Sequence, residues 1–336
     1  MKTKYLITGA AGNLGSSIVR ELTMQGADVR ALVLPNDATA DHLPDQIEKY
    51  YGDVLNKEDL ERFFQVEQGD EVVVIHCAGI VTICWDFDQK VYDVNVEGTR
   101  NVVNQCIRSD VKKLVYISSV HAIPELPKGQ TITEINSFNP DNITGFYGKT
   151  KAMASQIVIE AVNHFGLDAS LIFPSGICGP FDYAKGIVTR LLVDCCHGKL
   201  PVGVQGGYDF VDVRDVAKGV VNCCIVGKKG EGYILSNQYI SVAEILKQVH
   251  IQTRIKEVKR MIPIWVASLS LPYFEMLYKL KNLTPVFTKY SLYTLTSNSA
   301  FSYDKAKRML GYSVRPFVRT ISDTLFWLRQ RKEINF

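Results

Sequence analysis

Short apolar runs alternate with amphipathic stretches along the first half of the chain. The apolar runs predict strands, and they read KYLITG, DVRALVL, IEKYYGDV, EVVVIHCAG, KKLVYISS and LDASLIFPSGICGP. Helical patterns lie between them, at 13–25, after the expected N-cap Asn56, over 88–108 and from Tyr147 onward. A continuous β-branched run such as EVVVIHCAG is typical of a strand covered on both faces. The alternation therefore predicts an α/β fold with a doubly wound parallel sheet.

The alternation of strand and helix patterns becomes less regular after residue 175. Helical patterns at 185–197 and 213–226 and two short strand patterns, YDFVDV and GYILS, precede a stretch that is mainly helical and divided by Pro and Gly. We therefore expect two regions: 1–175 with the sheet and the Tyr147 helix, and 176–336 as a smaller, mainly helical substrate lobe. The two should be intimately joined, with some strands and helices of the second returning to the core.

Composition and charge exclude several classes of protein. The 336 residues are 46% hydrophobic and 22% charged, with a formal net charge of +3, which is ordinary for a globular chain and favours no nucleic-acid partner. The eight cysteines include no C-x-x-C arrangement and no Cys/His pair of zinc spacing. We therefore expect buried thiols, no metal site and a cytoplasmic location.

The most apolar late segment is MIPIWVASLSLPYFEMLYKL, residues 261–280, and prolines and charged residues interrupt it. It is therefore a poor transmembrane span, and the N-terminal apolar run ends at Gly9, too early for a signal peptide. We expect residues 262–280 to form helices that line an apolar pocket. Contact with a membrane surface is the open alternative.

The motif LITGAAGNLG places three glycines directly after a strand and before a helix. Gly9 permits a tight turn, Gly12 lets the backbone approach a pyrophosphate, and Gly15 allows close helix–strand packing. The amides of the first helical turn and the positive end of the helix would then face the phosphates of a dinucleotide in a Rossmann-like domain. The predicted contacts in this turn are Gly9, Ala11, Gly12, Asn13, Leu14 and Gly15.

Tyr147 and Lys151 stand four residues apart in GFYGKTK, at the start of a predicted helix, so they share one face of it. An ammonium held beside a phenol favours the phenolate and lowers a tyrosine pKa from its usual value of about 10 towards neutrality. Such a tyrosine is a usable general acid or base. A catalytic role for Tyr147 and Lys151 is better supported because the chain also carries the glycine turn and a strand that ends in two serines.

With these motifs the chain resembles the extended short-chain dehydrogenase/reductase superfamily, also called the NAD-dependent epimerase/dehydratase superfamily, over nearly its whole length. GDV at 52–54 resembles the segment that contacts the adenine, which implies Asp53 and Val54. HCAG, VNVEGTRNVV, YISS, YGKTK and FVDVRDVA resemble further motifs of the superfamily. The further cofactor contacts that the resemblance implies are Cys77, Ala78, Gly79, Asn95, Ser118, Tyr147, Lys151 and Pro174.

Carried over residue by residue, the resemblance gives roles to three catalytic side chains. Tyr147 would be the acid/base while hydride moves to or from nicotinamide C4, and Lys151 would lower its pKa and bind the nicotinamide ribose. Ser119 would hydrogen-bond the substrate oxygen, with Ser118 as the structural member of the pair. Asn95 would either support a proton path or only bind backbone.

The choice between NAD and NADP stays open. An acid near the end of the second strand accepts the ribose hydroxyls of NAD, whereas an arginine there binds the phosphate of NADP. The sequence VRALVLPND places Val33 and Leu34 at that point, with Arg30 earlier on the strand and Asp37 later. Arg30 is a candidate cofactor contact on this basis.

Two sugar-nucleotide reactions of the superfamily fit the sequence poorly. Dehydratases typically carry Thr-Asp-Glu where this chain has Ser-Val-His at 119–121, so the acids that expel water are missing. Epimerases usually place an arginine where this chain has Tyr208, and a phenol cannot supply the bidentate charge pairing that a diphosphate requires. Arg190 or Arg214 could substitute, so an epimerase remains an alternative.

The predicted function is an NAD(P)-dependent oxidoreductase of the dihydroflavonol-reductase or 3β-hydroxysteroid-dehydrogenase kind. It would interconvert a secondary alcohol and a ketone on a fairly apolar ring substrate. The candidate pocket residues are Thr82, His121 and Tyr208, with Trp265, Leu269, Leu271, Tyr273 and Phe274 as apolar surface. A non-catalytic NAD(P)-sensing protein is the alternative of another class. The resemblance also implies a homodimer through a four-helix bundle of helices 88–108 and 147–165.

Overall fold

The structure is a computed structural model that describes residues 2–83, 85–272 and 288–335. Its strands are β1 (Thr3–Thr8), β2 (Asp28–Val33), β3 (Glu48–Tyr51), β4 (Glu71–His76), β5 (Lys113–Ile117), β6 (Ala169–Pro174), β7 (Gly176–Cys178), β8 (Gly203–Val204), β9 (Gly207–Asp212), β10 (Gly232–Leu235), β11 (Gln238–Ser241) and β12 (Met261–Ile262). Seven of these strands form a parallel sheet in the order β10-β6-β5-β4-β1-β2-β3. The strand order reverses between β1 and β4, where open α/β sheets bind ligands, so the predicted doubly wound fold is confirmed.

The described helices are α1 (Asn13–Met24), α2 (Lys57–Phe63), α3 (Gln89–Tyr92), α4 (Thr99–Arg108), α5 (Phe146–Phe165), α6 (Ile187–Cys196), α7 (Val213–Val226), α8 (Val242–Thr253), α9 (Ile264–Leu269), α10 (Lys289–Thr294), α11 (Asp304–Leu310) and α12 (Phe317–Gln330). Asn56 caps α2, as its position predicts, by accepting the N–H groups of Glu58 and Asp59 at 2.9 and 3.3 Å.

Helices cover both faces of the main sheet, and single strands supply side chains to two cores. In β4, Val72 and Val74 belong to the apolar cluster formed with α4 and α5, whereas Val73 and Ile75 belong to the cluster formed with α1 and α7. Successive strand side chains point to opposite faces, so an unbroken apolar run is what a doubly covered strand requires.

The predicted helix 88–108 contains a turn that the sequence pattern does not reveal. A π-helical turn, Asp93–Gly98, joins α3 to α4. A Cβ on Gly98 would lie 2.8 Å from Val54 Cγ2, so glycine permits the close approach of this turn to the segment after β3. The wider turn places Asn95 against the loop that follows β4, in keeping with the frequency of such turns at functional sites.

The chain after β6 builds a smaller lobe and also returns to the sheet. Among the described strands, β7, β9 and β11 form a second sheet, and β8 pairs with β12. Helices α6, α8 and α12 surround a separate apolar cluster that includes Leu192, Leu246 and Leu325. In contrast, β10 extends the main sheet beside β6, and α7 packs against α1. The smaller lobe is therefore interleaved with the sheet region along the chain.

Candidate active site

The glycine turn lies at the C-terminal end of β1, against the end of β4. Gly9 has a φ of +64°, and a Cβ there would lie 2.6 Å from the amide nitrogen of Ala78. A Cβ on Gly15 would lie 2.1 Å from the carbonyl oxygen of Gly9, so α1 packs directly on the turn. Gly12 stands at the N-cap of α1 and brings no side chain to the first-turn amides. The turn therefore presents these amides to an anion.

The loop that follows β4 is held beside this turn. The amides of Cys77 and Ala78 donate to the carbonyl oxygen and the hydroxyl of Thr8 at 3.1 and 3.3 Å. Asn95 clamps the next part of the loop, because its Oδ1 accepts the Ile80 N–H at 2.7 Å and its Nδ2 donates to the Ile80 carbonyl at 3.0 Å. Burial raises the pKa of the Cys77 thiol to about 12, so this cysteine stays neutral.

Asp53 and Val54 follow β3 at the same edge of the sheet. The Asp53 carboxylate accepts the N–H of Leu55 at 3.0 Å, and Asn101 Nδ2 donates to the carbonyl oxygen of Val54 at 3.1 Å. These bonds fix the segment at the carboxyl ends of the strands, where an adenine contact is expected.

Arg30, on β2, is bound by partners on neighbouring elements. Its Nη1 donates to the two carbonyl oxygens of Phe63 and Gln65, at the end of α2, at 2.8 and 2.6 Å, and its Nε lies 2.8 Å from a carboxylate oxygen of Glu48. These three partners hold the Arg30 guanidinium between α2 and β3. Arg30 as a cofactor contact stays a prediction. Asp37 is taken up as the cap of a 3₁₀ helix.

Lys151 is buried on the face of α5 that meets the sheet. Its Nζ donates to the carbonyl oxygen of Ile117 at 2.8 Å and to the hydroxyl of Tyr116 at 3.5 Å. A Cβ on Gly79 would lie 3.4 Å from the same nitrogen, so the loop after β4 passes beside it. Burial lowers the pKa of Lys151 from 10.5 to about 8, because the ammonium loses hydration. The third N–H bond of the ammonium is the one that suits a ribose hydroxyl.

Tyr147 lies one turn before Lys151 on α5 and is 7% exposed. Burial raises the pKa of Tyr147 to about 12, although a hydrogen bond with Ser119 acts in the opposite direction and lowers it. The expected lowering of the Tyr147 pKa by Lys151 is therefore wrong, because the Lys151 ammonium donates to the carbonyl oxygen of Ile117 and burial of Tyr147 dominates. Tyr147 is a neutral phenol, which is the form that protonates a ketone oxygen.

The two serines at the end of β5 have different surroundings. Ser118 Oγ shares a hydrogen bond of 2.7 Å with Ser155 Oγ, and Ser155 donates to the carbonyl oxygen of Lys151 at 2.8 Å. Ser118 therefore supports α5. Ser119 instead hydrogen-bonds Tyr147, and its Oγ accepts the N–H of His121 at 3.2 Å. Of the two serines, Ser119 is the one that the structure brings to Tyr147.

Three aromatic side chains, His121, Tyr208 and Tyr290, form a wall beside Tyr147. The ring of His121 stacks on Tyr208 with centroids 5.6 Å apart and meets Tyr147 edge-on at 6.0 Å. The Tyr208 hydroxyl lies 3.3 Å from His121 Nε2, and the Tyr290 hydroxyl lies 3.2 Å from Nδ1. Burial lowers the pKa of His121 to about 4 and raises the pKa of both phenols. The aromatic wall is therefore uncharged at neutral pH.

Tyr290 is the wall residue that the sequence pattern does not reveal. It belongs to a segment, 288–301, that crosses back to the first half of the chain. In this segment the Thr288 hydroxyl donates to the carbonyl oxygen of Ile83 at 2.8 Å, and the Asn298 N–H donates to Glu125 at 2.6 Å. The stretch KYSLYTLT reads as an ordinary amphipathic helix, so only tertiary packing identifies its tyrosine.

Comparison with known proteins identifies the family to which the chain belongs. Residues 5–233 match the NAD dependent epimerase/dehydratase family. The chain belongs to this family. It is 29% identical over 335 residues to sterol demethylase protein B of Methylococcus capsulatus, covering 97% of this chain and 98% of that protein. It is 31% identical over 269 residues to a Synechocystis protein proposed to be a dihydroflavonol 4-reductase, covering 78% and 76%. It is 25% identical over 347 residues to human 3 beta-hydroxysteroid dehydrogenase type 7, covering 93% and 91%.

Membership of the epimerase/dehydratase family confirms the resemblance to extended short-chain dehydrogenases/reductases and the predicted NAD(P)-dependent chemistry on CH–OH groups. The described residues fit a dinucleotide. The first-turn amides of α1 and the third N–H of Lys151 suit its pyrophosphate and ribose. Beside the amides, Asn13 Oδ1 is buried without a hydrogen-bond partner among the described residues, so a ligand hydroxyl could satisfy it. Pro174 is buried at the end of β6.

The apolar segment 262–280, which the sequence predicts to line the pocket, carries large exposed side chains on α9. Trp265 and Leu269, on α9, are 67% and 74% exposed, and Thr82 and Leu271 are half-buried. The predicted pocket residues Tyr273 and Phe274 lie outside the described residues. Within the described ranges, no helix combines the length and the apolar character needed to cross a membrane. It is the aromatic wall, rather than Trp265 or Leu269, that encloses Tyr147.

Proposed function

We propose that this protein interconverts a secondary alcohol and the corresponding ketone on a large apolar ring substrate of the sterol type. The observation that carries the proposal is the aromatic wall beside Tyr147, which is uncharged at neutral pH. A hydroxyl group on a polycyclic hydrocarbon requires apolar surface and a few hydrogen bonds, without a countercharge. Similarity to sterol demethylase protein B and to 3 beta-hydroxysteroid dehydrogenase type 7 supports the same substrate class.

Three residues of the chain would handle the substrate oxygen and its proton. When bound, NAD(P) supplies the hydride donor or acceptor. The hydroxyls of Ser119 and Tyr147 meet at the substrate oxygen, where Ser119 stabilises the charge that develops. In the reducing direction Tyr147 gives its proton to that oxygen, and in the oxidising direction it receives the proton. Lys151 supplies positive charge on the same helix face, which favours the phenolate that remains after reduction.

A nucleotide-sugar substrate suits the site less well. A diphosphate requires cations in bidentate geometry, and Tyr208 stands where an epimerase would carry arginine. Arg214 is already paired with Asp212 and Asp323, each at 2.7 Å. The Nε of Arg190 donates to the carbonyl oxygen of Lys185 at 2.7 Å. Arg214 is thus held by two carboxylates, and Arg190 keeps only its Nη atoms for another partner, which disfavours the epimerase alternative.

The test is a nicotinamide absorbance assay with NAD and NADP over panels of sterols, flavonoids and nucleotide sugars. We expect turnover of a 3β-hydroxysterol or its ketone, and a loss of about 10³-fold in Tyr147→Phe. Tyr312→Phe is the matched control. It removes a buried phenol hydroxyl that donates to the Ser236 carbonyl at 3.2 Å, within the apolar cluster on the opposite face of the sheet. Turnover of nucleotide sugars alone would contradict the proposal, and cofactor binding without any turnover would favour the NAD(P)-sensing alternative.

A homodimer and a cytoplasmic location are also proposed. Helices α4 and α5 pack together along one side of the sheet, which supports a four-helix bundle with a second copy. Buried free thiols such as Cys106 and Cys223 support a reducing compartment. A monomer in sedimentation at micromolar concentration would contradict the first proposal, and recovery of the protein in an oxidising compartment would contradict the second.

A further inference from the structure

A chain of buried polar groups connects the dinucleotide turn to the catalytic helix. Its centre is His76, the last residue of β4. His76 Nδ1 lies 2.6 Å from the Thr8 hydroxyl, and Nε2 lies 3.0 Å from the Thr99 hydroxyl. Thr8, His76, Thr99 and Tyr116 are all 0% exposed. Polar groups this deep are stable only when every donor finds an acceptor, so the direction of each bond can be worked out.

The direction of each hydrogen bond follows from the two ends of the chain of polar groups, which are the Asn95 carbonyl oxygen and the Ala78 amide. The Thr99 hydroxyl lies 2.7 Å from the carbonyl oxygen of Asn95, which can only accept, so the hydroxyl hydrogen lies in that bond. Thr99 must then accept from His76, which places a hydrogen on Nε2. A neutral imidazole with that hydrogen accepts at Nδ1, so Thr8 donates to it. Thr8 Oγ1 in turn accepts the N–H of Ala78 at 3.3 Å.

A side arm extends the chain to Lys151. The Tyr116 hydroxyl also hydrogen-bonds Thr99. The Tyr116 oxygen accepts an N–H of Lys151 Nζ at 3.5 Å. The His76 ring stacks on Tyr116 with centroids 5.6 Å apart, which fixes both rings. Burial lowers the pKa of His76 to about 3, in keeping with a neutral ring.

We propose that His76 is a positioning residue, which holds the dinucleotide turn in register with Asn95 and Lys151 through a hydrogen-bond chain that has a single direction. One end of the chain is the Ala78 amide, against which Gly9 packs. At its other end the chain branches. One branch reaches Asn95, which binds the loop after β4, and the other reaches Lys151. Apolar side chains would fill the same space without needing partners, so the polar chain contributes alignment rather than burial. This inference rests on the proposed function only for its kinetic readouts.

Thr99→Val tests the chain, because it keeps the shape of the side chain and removes the hydroxyl at which three bonds meet. We expect a roughly tenfold weaker affinity for NADH and a roughly tenfold lower kcat, with most of both restored in Thr99→Ser. The alkaline limb of the kcat profile should move to lower pH, because the Tyr116 hydroxyl, which accepts from Lys151, loses its hydrogen bond with Thr99. Thr324→Val is the control, since that buried hydroxyl donates at 2.6 Å to the carbonyl of Thr320, also four residues back.

A double-mutant cycle asks whether the groups act as one unit. Thr8→Val and Thr99→Val break the same chain on opposite sides of His76, so the double variant should lose no more NADH affinity than the weaker-binding single variant. Losses that multiply would overturn the proposal. A lowered melting temperature with unchanged NADH affinity and an unchanged pH profile would also overturn it, because a purely structural role predicts that result.

The wild-type protein provides a test without substitutions. Long-range proton–nitrogen spectra should show His76 neutral, with its hydrogen on Nε2, from about pH 5 to about pH 9. A hydrogen on Nδ1 would contradict the derived direction. The spectra and the NADH affinity need no substrate, so they can succeed or fail even if no alcohol or ketone is turned over.

Discussion

Replacing Lys151 with methionine should stabilise the ligand-free protein and abolish its activity. Lys151 is 5% exposed, and burial lowers its pKa from 10.5 to about 8. Near pH 7 that difference corresponds to about 3 kcal/mol by which the folded state disfavours the charged ammonium. Methionine keeps most of the stem, and the carbonyl of Ile117 loses a hydrogen bond worth about 1 kcal/mol. We therefore expect Lys151→Met to be more stable by about 2 kcal/mol near neutral pH.

The difference in unfolding free energy between Lys151→Met and wild type should depend on pH. Between about pH 8 and about pH 10.5 the unfolded chain keeps the lysine proton and the folded protein loses it, so wild-type stability rises with pH relative to Lys151→Met. Urea unfolding near pH 7 and near pH 10 measures both differences. The advantage of the variant should shrink as pH rises.

Lys113→Met is the matched control for this experiment. Lys113 is also 5% exposed, but its Nζ lies 2.7 Å from a carboxylate oxygen of Asp168 and donates to the carbonyl of Gly227 at 2.8 Å. Removing a paired buried charge should destabilise the protein. The reasoning is refuted if Lys151→Met is less stable than wild type near pH 7, or if their difference does not change with pH.

Three further changes have defined expectations. Gly145→Ala should lower stability and substrate affinity, because Gly145 has a φ of +82° and a Cβ would lie 2.2 Å from a ring carbon of Tyr290; urea unfolding and KM measure both. Arg214→Met should cost about 2 kcal/mol in urea unfolding, since the buried Asp212 loses its guanidinium partner at 2.7 Å and keeps Arg315 Nε at 3.7 Å, and should leave the kcat of the folded protein unchanged. Burial raises the pKa of Asp209 to about 6, so wild-type stability relative to Asp209→Asn should rise as pH falls from about 6 to about 4.

The parts of the site that the sequence predicts are those set by local geometry. In a parallel sheet the carboxyl ends of the strands meet at one edge, so motifs placed directly after strands must converge there. The glycine turn, the loop at Cys77 and Ser119 meet for this reason. A four-residue spacing on a helix likewise fixes the common face of Tyr147 and Lys151.

The parts that the sequence does not predict depend on distant packing. Tyr290 reaches His121 only because the 288–301 segment crosses back to the first half of the chain. The pKa of Tyr147 rises rather than falls because burial, which no local pattern reports, outweighs its lysine neighbour. Arg30 looks available in sequence, but Glu48 on the neighbouring strand binds it. The π-helical turn at Asp93–Gly98 has no distinguishing composition.

The crossing of residues 288–301 has a consequence for the order in which a newly made chain acquires its abilities. All seven strands of the main sheet and the glycine turn have been synthesised by the end of β10, whereas Tyr290 of the aromatic wall follows later. Ala306, Leu310 and Tyr312, which pack in the apolar cluster with α1 and α7, follow later still. We therefore expect a polypeptide ended by a stop codon before Tyr290 to lack both part of the aromatic wall and part of the core behind the glycine turn.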